Sequence, residues 1–508
     1  MKSMKFNMIK ALMAVVIFLA ASCDSVLDDP RETLIVESGI DYSNQNLMHE
    51  LYRGAYYTLY NIQWESFPLV SVRGDDVSAE GDQEPLLETQ AFRYDRSFWI
   101  YNSVWLNYYS DIINWYAAIE EIKKFQTNSA TPEVADRYIA EIKVMIGYEL
   151  LQVSRIWGDI LIPETSQTNE LYDAEVVPHE DVLQYISDKM DEAMPHLLTV
   201  APNDRSNIPG GITVYTALAV KAMANLELKN WQEVVDATGE IIGSGEFSLF
   251  SDYYHLFKTA GKLADENILE LQYSDFGEGS GIGVRYLHAF FGPNNWTPAQ
   301  EGISPGWGFW EPTMKYIKFM LDRGETVRLE TSVLFTNEGI DSLKAQPGYE
   351  TLPGFISNTT REGDVWGTTD GSANPRSIFS SGKHYLPSTE IISGRTDYGS
   401  NKNFICIRYS EILLMHAEAL VSGASSSVMS ADEAVNEVRT RAGLSTLAGV
   451  TIDDVLDEKF AEFGMEWGIR FYDLVRHGKT SELDGYSEQD QFIPYPLDQI
   501  DLLPQLNQ

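Results

Sequence analysis

Cysteine is nearly absent: the 508 residues hold two, Cys23 and Cys406. Cys406 sits inside the apolar stretch FICIRY, so no disulfide framework forms and no exposed thiolate serves as a nucleophile. Basic residues are scarce, 37 Lys and Arg against 75 Asp and Glu, for a formal charge of −38. That balance excludes nucleic acid as a partner, because phosphate binding needs a basic face. It also repels anionic ligands until salt screens the field beyond about 10 Å. The eight histidines are dispersed without metal-ligand spacing, so neither a metal nor another cofactor is expected. Walker A, HExxH and GxSxG motifs are missing, and the GEGSGIG run at 277–283 fails the dinucleotide spacing. Past the amino terminus no apolar run reaches 18 residues, too short for a membrane-spanning helix.

What the amino terminus does contain is an export signal. Lys2, Lys5 and Lys10 precede an apolar run over 11–21, which ends in LAASC. Small residues leading into a single cysteine resemble a bacterial lipobox, with Leu19 one place earlier than the usual pattern. A signal peptide over 1–22 and lipidation at Cys23 are therefore expected, with 23–40 (DSVLDDPRET and its flanks) as a polar tether. Two or more acyl chains, at about 0.8 kcal/mol per buried methylene, hold such a protein on a membrane.

From 41 to 273 the pattern is helical. Leu106, Tyr109, Ile112, Ile113, Tyr116 and Ile119 recur near a 3.6 period, predicting an amphipathic helix over 104–125. Thr131-Pro132-Glu133 starts another, ending at the WGD turn after Trp157, and a third runs over 179–198. Over 213–243, two helical patterns meet at Lys229-Asn230, with Ala219, Ala222 and Ala224 permitting close packing. That is the form of a tetratricopeptide pair, and 409–444 is a second candidate joined by a Ser-rich link. Between 274 and 403, Gly, Pro, Asn, Ser and Thr crowd together with scattered rings, and only 313–321 reaches helix length. In 404–508, Val455, Leu456, Phe460, Phe463, Trp467, Phe471 and Leu474 read as one apolar helical stripe. Glu462, Glu466 and Arg470 follow at i, i+4 intervals, spaced to pair along it.

The carboxy-terminal motifs carry a family resemblance. IRYSEILLMHAEAL (407–420), AVNEVRTRAGL (434–444), EFGMEWGIRFYDLVRHGK (462–479) and FIPYPLDQIDLLPQLNQ (492–508) resemble the SusD/RagB signature in its usual order. Upstream, GYELLQVSRIWGDILIPE (147–164) and the stretch 217–257 are similar to the same family. One residue more than the commonest form separates Glu466 from Arg470. The resemblance implies an all-α SusD-like fold with tetratricopeptide-type helix pairs and a loop-rich inserted lobe. It also implies a nutrient-binding lipoprotein at the outer membrane, delivering glycan to a SusC-like, TonB-dependent transporter.

A sugar's C–H face packs on an aromatic ring while its hydroxyls seek short polar side chains. With 11 Trp, 27 Tyr and 22 Phe, most rings belong to the core. Two stretches nevertheless have a binding composition, QAFRYDRSFWIYN (90–102) and VRYLHAFFGPNNWTPAQ (284–300). With the family's loop positions they point to Trp99, Tyr101, Asn102, Tyr286, His288 and Trp296 as ligand-facing. Arg73, Asp75 and Asp76, in the loop 64–82, either face ligand or satisfy turns. The rival functions are peptide capture, a surface glycoside hydrolase, which needs two carboxylates about 5–9.5 Å apart, and a structural helix-repeat scaffold. No motif supports catalysis, so the protein is expected not to be an enzyme.

Overall fold

The computed structural model describes residues 40–60, 66–128, 131–167, 170, 172, 174–273, 291–292, 296–303, 306–367, 378–391 and 402–507. The expected lipid-bearing Cys23 and the expected ligand-facing Tyr286 and His288 lie outside them.

Helices form the frame: α1 (Gln45–Leu59), α2 (Trp99–Asn128), α3 (Pro132–Trp157), α4 (His179–Ala193), α5 (Val214–Glu227) and α6 (Trp231–Ser244), then α7 (Tyr409–Val421), α8 (Ala431–Arg441), α9 (Ile452–Phe463), α10 (Ile469–Arg476) and α11 (Leu497–Leu502). From α2 to α8 each packs on the next, including α6 on α7 across a long insertion. The helix α3 starts with Pro at its first turn and stops at Gly158, whose φ of 75° is left-handed. Nearly all of it from Tyr138 onward is buried, so it is the central rod. Both predicted helix pairs are present. In the first, Ala217, Ala219, Ala222 and Ala224 are buried, letting α5 approach its neighbours closely.

The insertion between α6 and α7 has a neck. Strand Asn267–Leu271 pairs antiparallel with Phe404–Arg408, matching Leu271 with Phe404 and Asn267 with Arg408. Beyond it the lobe carries more helix than expected: besides Met314–Asp322, there are Val327–Ser332 and Asn337–Lys344. Its strands are short and paired two by two: Trp310–Pro312 with Val77–Ala79 of the frame, and Val333–Phe335 with Phe379–Ser381.

The expected single stripe through 455–474 is two helices. Met465 at φ 71° and Gly468 at φ 70° break it, and a Cβ on Gly468 would lie 2.6 Å from the Val70 carbonyl oxygen. The turn swings Glu462 and Glu466 inward, so they do not pair with Arg470, which instead bonds Asp75 at 2.9 Å. Glu466 takes Arg408 at 2.9 Å and Lys383 at 2.7 Å, while Glu462 takes Arg328 at 3.1 Å and also Arg408 and Arg441. Arg408 reaches Glu266 on the neck at 2.9 Å, so the knot locks insertion to frame. Burial alone would raise the Glu462 carboxyl, but Arg441, Arg408 and Arg328 outweigh it and hold it well below the carboxylate range.

Candidate functional site

A tight turn sets the entry to α2: Asp95 accepts the Ser97 backbone N–H at 2.8 Å and its hydroxyl at 2.7 Å. The helix starts five residues earlier than the periodicity predicted, so Trp99, Tyr101 and Asn102 stand on its first turn rather than on a loop. Residues 99, 102 and 106 share one face at helical spacing. Trp99 is 46% exposed and Leu106 50%, while Ile100, Tyr101, Val104, Trp105 and Tyr108 turn inward.

The carboxy-terminal helix α11 borders this face. Asn102 Nδ2 donates to Asp498 Oδ2 at 3.1 Å, and its Oδ1 accepts from Gln499 Nε2 at 2.8 Å. The Leu497 N–H donates to the Arg96 carbonyl at 2.9 Å, fixing α11 to the turn before Trp99. Further along, a groove of about 350 Å³ opens between α2 and α11, lined by Leu106, Ser110, Ile113, Asn114, Tyr172 and Leu502. Gln505 holds the Tyr172 and Ala174 carbonyls at 3.2 and 3.1 Å, and Tyr172 stands 54% exposed at the rim. A ring, two amides, a hydroxyl and apolar walls thus line one surface, which suits a ligand with C–H faces and hydroxyls. Among the described residues no cluster of three or more His, Cys, Asp or Glu could hold a metal.

The other predicted residues fall elsewhere. Tyr101 is fully buried, with its hydroxyl 2.7 Å from that of Thr89, because two residues along a helix from Trp99 is the opposite side. Its ring is therefore core and removed from the candidate set. Trp296 is 9% exposed and packs edge-on against Trp366 at 5.6 Å and Tyr385 at 6.3 Å. That ring cluster is organised by Asp364, which accepts the Ala299 N–H at 2.8 Å and the Ser388 N–H at 2.9 Å, so Trp296 offers no open face for stacking. Arg73 is buried over the Phe471 ring at 4.2 Å and donates to the Gln491 carbonyl at 2.6 Å. Asp75 bonds Lys315 at 2.7 Å, and Asp76 accepts the Met465 N–H at 2.8 Å; all three are structural.

Sequence reasoning missed Tyr172, Gln499 and Leu502, and read Leu106 only as part of the apolar face of an amphipathic helix. The available signal was α11 itself, where Leu497 and Leu502 are both substantially exposed on a helix too short to bury them.

The model of the SusD family matches residues 265–495. A SusD-like protein of Bacteroides ovatus is 22% identical over 482 residues, spanning 90% of this chain and 80% of that protein. The second half of the chain is thus similar to the SusD family. Among solved structures, the SusD-family fold recurs in surface glycan-binding protein A from Bacteroides thetaiotaomicron in complex with laminarihexaose. The TM-score is 0.72 at 20% identity, covering 91% of this chain and 98% of that one. A laminarin binding SusD-like protein superposes with TM-score 0.74 at 19% identity, covering 91% and 98%. At such identities the likeness of this chain to those structures is one of fold.

Proposed function

We propose that this protein captures a neutral glycan outside the cell on the Trp99–Asn102 face and hands it, chemically unchanged, to a SusC-like, TonB-dependent transporter of the outer membrane. The observation that carries this reading is the half-exposed Trp99 ring, fixed on a rigid helix beside the Asn102 and Gln499 amides. The exposed part of the indole gives a sugar's C–H face a platform. The net charge of −38 favours uncharged sugars over anionic ones. Surface location and lipidation at Cys23 rest on the LAASC segment and on family resemblance, with 23–40 as tether, 41–273 and 404–508 as frame and 274–403 as the inserted lobe.

Peptide capture is a second reading, favoured by the apolar groove walls at Leu106, Ile113 and Leu502, which suit a hydrophobic side chain. An array of neutral oligosaccharides, anionic oligosaccharides and peptides separates the two. Binding to neutral oligosaccharides with no shortened products after prolonged incubation is the expected result. Exclusive peptide binding, or release of shorter sugars, would overturn it.

A further inference from the structure

A second groove, of about 550 Å³, lies between α4 and the turn that joins α5 to α6. Its one aromatic wall is Trp231, the first residue of α6 and only partly buried. One side of the indole stacks on His477, with centroids 5.9 Å apart and planes inclined by 15°. His477 is itself held by Glu418 at 2.8 Å, so the platform is backed by a fixed group. Among the described residues the indole N–H of Trp231 donates to nothing, leaving a hydrogen-bond donor at the groove.

The rest of the lining is short and polar. Asn225 is buried and donates to Ser187 Oγ at 2.9 Å, and Asn230 Nδ2 donates to Asn225 Oδ1 at 3.0 Å, a chain of hydrogen bonds that sets the floor. At the rim, Gln184 Nε2 donates to Asp188 Oδ1 at 2.8 Å, which orients Gln184 Oε1 and leaves Asp188 Oδ2 as a second acceptor. Lys221 is engaged by Asp191 at 2.9 Å and Glu233 at 3.3 Å, so the free polar atoms are mainly acceptors. Acceptors beside a ring match the hydroxyl donors and C–H face of an uncharged sugar, and the carboxylate excess repels uronate or sulfate.

We propose that this groove is a second binding site for neutral sugar chains. Trp231 is the stacking ring, and Asn230, Gln184 and Asp188 receive the hydroxyls. It shares no residue with the Trp99 face and takes from the reading of that face only the ligand class. Two sites on one rigid frame would raise retention of a polymer well above that of a short oligosaccharide, because the second contact becomes intramolecular.

The test is fluorine NMR of the full chain labelled with 5-fluorotryptophan, with Trp99 and Trp231 assigned by Trp→Phe variants. Titrants are neutral gluco-, manno- and xylo-oligosaccharides, a uronic-acid oligosaccharide and a lysine-rich peptide. The expected result is a saturable shift of the Trp231 signal with a neutral oligosaccharide, persisting in Trp99→Ala. Affinity read at Trp231 should fall about threefold in Gln184→Ala, whose exposed amide is dispensable for folding. Movement of the Trp99 signal alone would overturn this site and leave the first. Movement of the Trp231 signal alone would support this site and overturn the first, and stillness of both would overturn both. A Trp231 shift with the peptide or the uronate, and with no neutral sugar, would overturn the ligand class.

Discussion

Around Glu462 the chain encloses Arg328, Arg408 and Arg441 with their carboxylate partners, whereas around Trp99 it leaves an indole, a tyrosine and leucines facing water. A buried charge is tolerated only while each partner remains, so every member of the knot is bound to the fold's stability. A half-exposed ring such as Trp99 contributes less to folding than a buried one. On the proposed reading, stability and recognition fall to different residues, and each can be removed without the other.

The largest expected effect breaks the knot. Glu462→Ala takes one carboxylate from three buried guanidinium groups, leaving more positive charge than its remaining partners balance, and should lower unfolding free energy by about 3–5 kcal/mol in denaturant titration. A loss below about 1 kcal/mol would mean that the knot is not the lock between insertion and frame.

A pH series sharpens the contrast, since some buried carboxyls lack a cation. Burial and the hydrogen-bonded neighbour Glu80 push Glu311 up to about 8, against the Phe379 and Ile378 N–H donors that lower it. Its folded-state value is raised, so its contribution is fully present below the unfolded value near 4.5 and is lost as pH rises towards about 8. Glu462, held low by arginines, contributes in the opposite sense, with stability lost as pH falls below the ordinary carboxylate range. Glu311→Gln should therefore be more stable than the parent by about 1–2 kcal/mol at pH 8, with the gap closing below pH 4.5. An equal gap at both pH values would contradict this.

Asn102→Ala removes the hydrogen bonds to Asp498 and Gln499 and should weaken glycan binding by about 1 kcal/mol in a fluorescence titration, with little change in unfolding midpoint. Tyr101→Phe is the smallest: loss of the hydroxyl contact to Thr89 should lower stability by about 0.5–1.5 kcal/mol and leave binding untouched. A binding defect there would return Tyr101 to the site.

The frame was legible because its signals are local. Pro132 opens a helix, Lys229-Asn230 joins a pair, and the alanines of α5 announce close packing. The break after Phe463 was hidden because apolar periodicity runs unchanged through Gly464 and Gly468, and only the packing against Val70 explains it. Of the candidate face, Trp99 and Asn102 were singled out by composition, and both lie on the first turn of α2. Tyr101 was misplaced once a supposed loop proved to be the first turn of α2, where alternate residues part company. Tyr172 and α11 come from distant parts of the chain and meet the groove only in three dimensions.

The most direct measurement is calorimetry of the best neutral oligosaccharide from the array against the parent and Trp99→Ala, alongside their thermal unfolding. The account predicts binding weakened by about 1–3 kcal/mol, as for other aromatic stacking platforms, at an unchanged unfolding midpoint. Equal affinity in the two proteins would contradict it.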